Sequence, residues 1–188
     1  VVPLLHEALR SSVERGEVDF VLTNTGHYVE LEADYGISRI ATLKMLPSVE
    51  IGSHFGAVIF TRADRTDIRQ LADLKGKTFA AVALDAFGGF QMAWREFKAA
   101  GVDPLEQFLD LYFLGLPQDR IVQSVMLGEV DAGTVRSGLL EAMAAEGLIQ
   151  FEDFRVLNRQ NRPDYPLALS TRLYPEWPFA TLKRTPAP

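Results

Sequence analysis

The chain has no cysteine among its 188 residues. That excludes disulfides, thiol nucleophiles and cysteine-ligated metals together. It has only three histidines, His6, His27 and His54, and no H-x-x-x-H or H-E-x-x-H spacing joins them, so no metal site is expected. No apolar run approaches the ~18–20 residues that a membrane-spanning helix needs, and no signal-peptide pattern is expected within these residues. The chain opens Val1-Val2-Pro3 without an initiator methionine, which reads as a processed or excised piece. An excess of positive charge is missing too. Nineteen Lys and Arg against 25 Asp and Glu leave a net charge of −6, which disfavours nucleic acid or an anionic membrane as the main partner. A local anion site depends on a few aimed donors, so the acidic total does not exclude one.

The motifs of common chemistries are absent as well. No G-x-G-x-x-G marks a dinucleotide site, no G-x-x-x-x-G-K-[ST] a phosphate-binding loop, and no G-x-S-x-G a nucleophile elbow. No cofactor is expected and no catalytic residue is assigned. What remains is an ordinary globular composition, 47% hydrophobic and 23% charged, on a chain long enough to bury a core without staples.

Helical and strand-like periods alternate, the mark of a parallel α/β sheet. Leu5, Leu9 and Val13 predict a first helix ended by Gly16. A strand over 18–24, a helix over 28–35 and a strand over 39–43 follow. Residues 55–63 read as a buried strand, Asp67 as the cap of a helix carrying Ile68, Leu71 and Leu74, and 77–84 as a strand. Phe90, Trp94 and Phe97 share a helix face, 108–115 is a strand, and Pro117 starts a helix that stops at Gly128. Residues 130–136 read as strand and 138–147 as helix. After 154–160 the pattern loosens into a proline- and aromatic-rich end, and the polar run 159–166 has no assignment beyond a loop or hinge. One echo stands out. Helix, Gly-Glu-Val-Asp, strand occurs at 14–24 and again at 126–136, which points to two similar lobes unless it is coincidence.

In open parallel sheets ligands bind beyond the carboxyl ends of strands, where helix N-termini offer N–H groups. Three junctions have that character. The first holds Asn24, Thr25, Gly26, His27 and Tyr28, and the second Asp85, Ala86, Phe87, Gly88, Gly89 and Phe90. The third is 133–138, with Thr134 and Arg136 its candidate contacts. Turn and cap formation is the alternative for each. Paired glycines let a ligand approach the backbone closely. Phe87 and Phe90 are candidate pocket walls, with a place in the core the alternative for Phe90. Arg136 could grip an oxyanion with two parallel hydrogen bonds or make a surface ion pair. His54, beside Phe55 and Gly56, marks either a crossing between lobes or a strand end.

The strings "GEVDFVLTNTGHYVELEADYG", "LADLKGKTFAAVALDAFGGFQMAWREF", "GEVDAGTVRSGLLEAMAAEG" and "LYPEWPF" resemble the phosphonate-binding-protein-like family of periplasmic proteins. More narrowly, they are similar to the sensor domains of tetrathionate-sensor-type histidine kinases. The resemblance implies a type II periplasmic-binding-protein fold, two α/β lobes with a ligand cleft between them. Residues 1–54 would form lobe 1 and 55–155 lobe 2, with 156–188 the return crossing and C-terminal segment. Relatives carry further elements before and after these residues, so lobe 1 is expected to be incomplete here. The implied function is an extracytoplasmic sensor for a small oxyanion or polar solute, in the periplasm. Its partners would be the ligand and the transmembrane and kinase regions of the same protein, with a homodimer left open. The rivals are a solute-binding protein of an ABC transporter for phosphonate- or phosphate-like anions, an enzyme on the same fold using His27 and Asp85, and a protein-interaction module.

Overall fold

Two glycines in the left-handed region, Gly16 (φ 66°) and Gly128 (φ 74°), end helices at the two copies of Gly-Glu-Val-Asp. Each helix leads through its glycine into a strand. A computed structural model of the chain describes residues 2–4, 6–44 and 52–185, so Leu5 lies outside the described residues. In chain order the elements are α1 (His6–Glu14), β1 (Phe20–Leu22), α2 (Thr25–Tyr35), β2 (Ser38–Thr42), β3 (His54–Phe55), β4 (Ala57–Arg62) and β5 (Thr78–Ala81). They continue with α3 (Met92–Ala99), α4 (Pro104–Gln107), β6 (Asp110–Phe113), α5 (Asp119–Met126), β7 (Ala132–Arg136) and α6 (Leu139–Ala145). The last three are β8 (Phe154–Leu157), β9 (Tyr174–Pro175) and β10 (Pro178–Thr181).

The chain divides into two units, Val1–His54 with Tyr174–Pro188, and Phe55–Leu173. The residues 156–173, expected in a return crossing, belong to the second unit, where β8 pairs with β4. In the first unit β10 lies between β1 and β2 and runs antiparallel to both. Alternation along the strands places Val21 and Ala180 against Val13, Tyr28, Leu31, Ile37 and Leu182. The residues between them, Phe20, Leu22 and Phe179, are part-exposed on the other face, where Phe20 and Phe179 stack with centroids 5.4 Å apart.

The second unit has a five-stranded sheet in the order β6-β5-β7-β4-β8. Both of its faces are covered. Val58, Phe60, Ala80 and Val135 pack against Ile121, Val122 and Val125 of α5 and Leu140 and Met143 of α6. On the other face Ile59, Phe79, Ala81 and Ala132 meet Phe90, Ala93 and Phe97. This α/β sheet is mixed and not parallel throughout. β5 is parallel to β6 and β7, while β4 is antiparallel to β7 and β8. The reason lies in the connections, because only the strands joined through helical crossovers must run the same way.

Several local expectations change. Asp67 caps no helix; a single 3-10 turn, Leu71–Leu74, forms after Gln70, and the Asp67 carboxylate accepts instead from Arg65 (2.8 Å) and Lys77 (2.6 Å). α2 starts at Thr25, three residues earlier than its apolar period indicates, because Asn24 caps it. α5 starts at Asp119, two residues past Pro117. The loosely patterned C-terminal end contains β9 and β10. The polar run 159–166 folds on itself: Arg162 forks onto Asp164 (3.1 and 2.8 Å) and Tyr165 reaches Ser137 with its hydroxyl at 2.6 Å.

Candidate ligand-binding site

Parallel pairing of β5 with β7 brings their carboxyl ends to the same edge of the second unit's sheet. β5 leaves through residues 82–86 into a π-helical turn, Phe87–Gln91, that runs on into α3. Such turns are frequent at functional sites. On β7, Thr134 and Arg136 share a face with Ala132, the face that α3 covers, while Gly133 and Val135 point to the other. Thr134 is fully buried and its hydroxyl has no hydrogen-bond partner among the described residues. The Arg136 guanidinium lies over the Phe55 ring, 4.2 Å from its centroid, and its backbone N–H donates to Gln118 Oε1 at 2.8 Å. Phe87 meets Phe55 edge-on at 6.3 Å.

The N–H groups of Gly88 and Gly89, in the first turn, find no acceptor among the described residues. They are the orphan donors that any helix start leaves. The glycines themselves have a packing reason that the sequence reading did not include. A Cβ on Gly88 would lie 2.8 Å from Phe55 Cε2, and one on Gly89 would overlap the Val82 side chain. Phe90 is fully buried in the core, edge-on to Phe113. Ala86 contributes its carbonyl, which accepts from Phe90 N (2.8 Å) and Gln91 N (3.1 Å). Asp85 is exposed in the loop before the turn.

In the first unit, Asn24 Oδ1 accepts from His27 N at 2.9 Å and caps α2. Thr23 Oγ1 and His27 Nδ1 are 3.0 Å apart, and Thr23, Asn24 and His27 are all buried. The Thr25 hydroxyl donates to Pro175 O at 2.7 Å. The N–H groups of Thr25 and Gly26 have no acceptor among the described residues. Tyr28 packs in the core, donating to Glu32 Oε1 (2.5 Å) and accepting from Arg39 N (3.2 Å), which ties α2 to β2. Burial, followed by the Glu32 contact, pushes its hydroxyl above the usual tyrosine pKa. His54 is exposed on β3. His27 and Asp85 belong to different units. No group of His, Asp and Glu able to hold a metal occurs among the described residues, and no helix there is long and apolar enough to cross a membrane.

Sequence reasoning singled out neither Phe55 nor Ser137 as a ligand contact. Ser137 N donates to Gly56 O (2.9 Å) and Gly56 N to Ser137 Oγ (3.1 Å). These bonds clamp the start of β4 to the end of β7. The signal available was Phe-Gly beside a lobe boundary, which reads equally as a buried strand.

A family model described as the periplasmic substrate-binding protein of phosphonate ABC transporters matches residues 3–188. The chain belongs to that family. The tetrathionate sensor histidine kinase TtrS of Salmonella typhimurium is 36% identical over 183 residues, which are 97% of this chain and 30% of that protein. Among solved structures, XAC2383 from Xanthomonas citri bound to ATP superposes with a TM-score of 0.72 at 18% identity, over 96% of this chain and 63% of that one. PhnD1 from Prochlorococcus marinus in complex with methylphosphonate gives 0.69 at 15% identity, over 98% and 64%. At such identities these two likenesses show the fold, the periplasmic-binding-protein type. The chain spans less than a third of the sensor kinase and just under two thirds of each solved neighbour. This family member is a solute-binding domain.

Proposed function

We propose that the chain is the extracytoplasmic sensor domain of a two-component histidine kinase and that it binds a small oxyanion. The anion chemistry rests on one observation. At the edge where β5 and β7 end, a buried hydroxyl without a partner among the described residues, Thr134 Oγ1, lies on the same strand face as a guanidinium, Arg136. Two helix-start N–H groups without an acceptor among the described residues, of Gly88 and Gly89, belong to the turn that follows β5. A set dominated by donors favours an acceptor-rich, negatively charged ligand. The signalling role is supported by the 36% identity to a tetrathionate sensor kinase across nearly the whole chain. The extracytoplasmic location is inferred from the same relative and from the periplasmic family.

The family model's own description favours a second reading, a solute-binding protein that delivers phosphonate-like anions to an ABC transporter. Both readings share the binding chemistry. A thermal-shift and calorimetric panel of tetrathionate, thiosulfate, sulfite, phosphate and methylphosphonate tests it. At ~100 times its dissociation constant a ligand adds roughly 2.7 kcal/mol, a rise on the order of 5–10 °C for a domain of this size. The response should vanish in Arg136→Ala. A folded protein that responds to none of the panel would refute the oxyanion reading. The sensor reading further requires that autophosphorylation of the full-length protein change with the same ligand.

A further inference from the structure

We infer that Phe55 is a positioning residue for this site, its ring holding the Arg136 guanidinium and the Gly88 turn in a fixed mutual arrangement. The inference rests on the oxyanion reading above and names a group that does not itself contact the ligand. Phe55 is 2% exposed. β4 and β7 pair with Ala57 opposite Arg136, so Phe55, two residues back, is the diagonal same-face neighbour of Arg136. The guanidinium stacks on its ring at 4.2 Å. An arginine side chain has many rotamers, and a flat aromatic face that narrows them before the ligand arrives raises affinity by preorganisation.

The same ring touches the other half of the site. Gly88 does not have a positive φ, so its backbone alone does not demand glycine. The demand comes from Phe55, whose Cε2 stands 2.8 Å from where a Cβ would be. The reciprocal hydrogen bonds between Gly56 and Ser137, the residues next to Phe55 and Arg136, keep the two in register. Moving the ring therefore moves both the charge and the turn.

Calorimetric titration of the folded protein with tetrathionate and with methylphosphonate tests this. Phe55→Leu is expected to weaken the probe that the parent binds by about 10- to 100-fold, the worth of one charged hydrogen bond. Phe55→Tyr, which keeps the ring, should stay within about threefold. Gly88→Ala in the parent should also weaken binding, yet cost less than about twofold more in the Phe55→Leu background, since the atom it strikes is gone. Binding by Phe55→Leu within twofold of the parent, a tyrosine variant as weak as the leucine one, or losses that simply multiply would each overturn the inference. If Phe55→Leu does not fold, Phe55→Met takes its place in the same comparisons. The ring-current shift of the Arg136 side-chain protons must change together with affinity, and weakened binding with an unchanged shift overturns the inference. A parent that binds neither probe is titrated with the member of the panel above that it does bind, and a parent that binds none of the panel would sink the oxyanion reading itself, and Phe55's role with it.

Discussion

At the scale of single residues, Thr134 keeps its hydroxyl out of solvent with no partner among the described residues. A group in that state costs about 1–3 kcal/mol against an apolar isostere. Thr134→Val keeps the shape and removes the cost, so the ligand-free protein should gain about 1 kcal/mol, a rise of about 2–4 °C in Tm. If the hydroxyl serves the ligand, affinity for the oxyanion should fall about tenfold in the same variant. Thermal unfolding and titration read the two effects separately, and a fall in both would mean that Thr134 is only a structural hydroxyl. Gly89→Ala has a different mechanism. Its methyl overlaps Val82, and overpacking of that kind costs about 1–3 kcal/mol, visible as a lower urea midpoint. Such distinctions were only half legible in the sequence. The three junctions, with Asn24, Gly88 and Arg136 in them, could be read because polar and glycine residues at strand ends announce turns and caps. That Tyr28 bonds Glu32 and Arg39, or that Gly88 is a glycine because of Phe55, depends on residues distant in the chain and leaves no local pattern.

Among the elements, β5 and β7 are tied by one carboxylate. Asp131 Oδ2 accepts from Thr78 N (2.8 Å) and Thr78 Oγ1 (2.9 Å), while Oδ1 meets Arg65 at 2.5 Å. Burial pushes its pKa up, but the Thr78 N–H, the Arg65 guanidinium and the Thr78 hydroxyl together outweigh this and leave it below the usual aspartate value. A carboxylate depressed in the folded state adds stability in full above its unfolded pKa of about 3.9, and loses it as the pH falls through the lower folded value. Asp131→Asn should therefore cost about 1–3 kcal/mol at pH 7, nearer the lower figure because the pair is a quarter exposed. It should also flatten the acid limb of stability below about pH 4. Urea midpoints measured from pH 7 down to 3 check both, and parallel curves for the two proteins would contradict the account. The tie also bears on what the sequence conveyed. The Gly-Glu-Val-Asp echo marks a helix, a left-handed glycine and a strand in both units, yet the aspartates differ. Asp131 binds a neighbouring strand, while Asp19 is exposed and 3.4 Å from Arg184. Periodicity located the core elements of the second unit, because Phe90, Phe97, Ile121 and Val125 recur at helical spacing. It could not show that β4 runs antiparallel to β7, nor that β10, in a stretch of prolines and aromatics, is the central strand of the first sheet. Strand direction and partner choice are set by contacts far apart in the chain.

For the whole molecule, the unequal covering of the two sheets has an energetic consequence. The five-stranded sheet is packed on both faces, and nearly all the largest fully buried side chains, among them Phe60, Phe79, Phe90 and Phe97, belong to its unit. The three-stranded sheet rests one face on α1 and α2 and leaves Phe20, Leu22, Ile40 and Phe179 part-exposed. Since burial contributes about 25 cal/mol per Å² of apolar surface, the first unit has far less to set against its chain entropy. Local openings should therefore be easier there. Hydrogen exchange on this chain is expected to show amides of β1, β2 and β10 protected at least ~10-fold less than those of β4, β5 and β7, a difference of about 1.4 kcal/mol or more in opening free energy. Urea unfolding followed by more than one probe should not be coincident, as a single two-state transition would require. Tetrathionate, if it binds at the second unit's strand ends, should add protection around residues 86–91 and 134–137 beyond the general increase that mass action gives. Uniform protection with one coincident transition would mean that the two units open together. Apolar coverage would then not be what limits the smaller sheet.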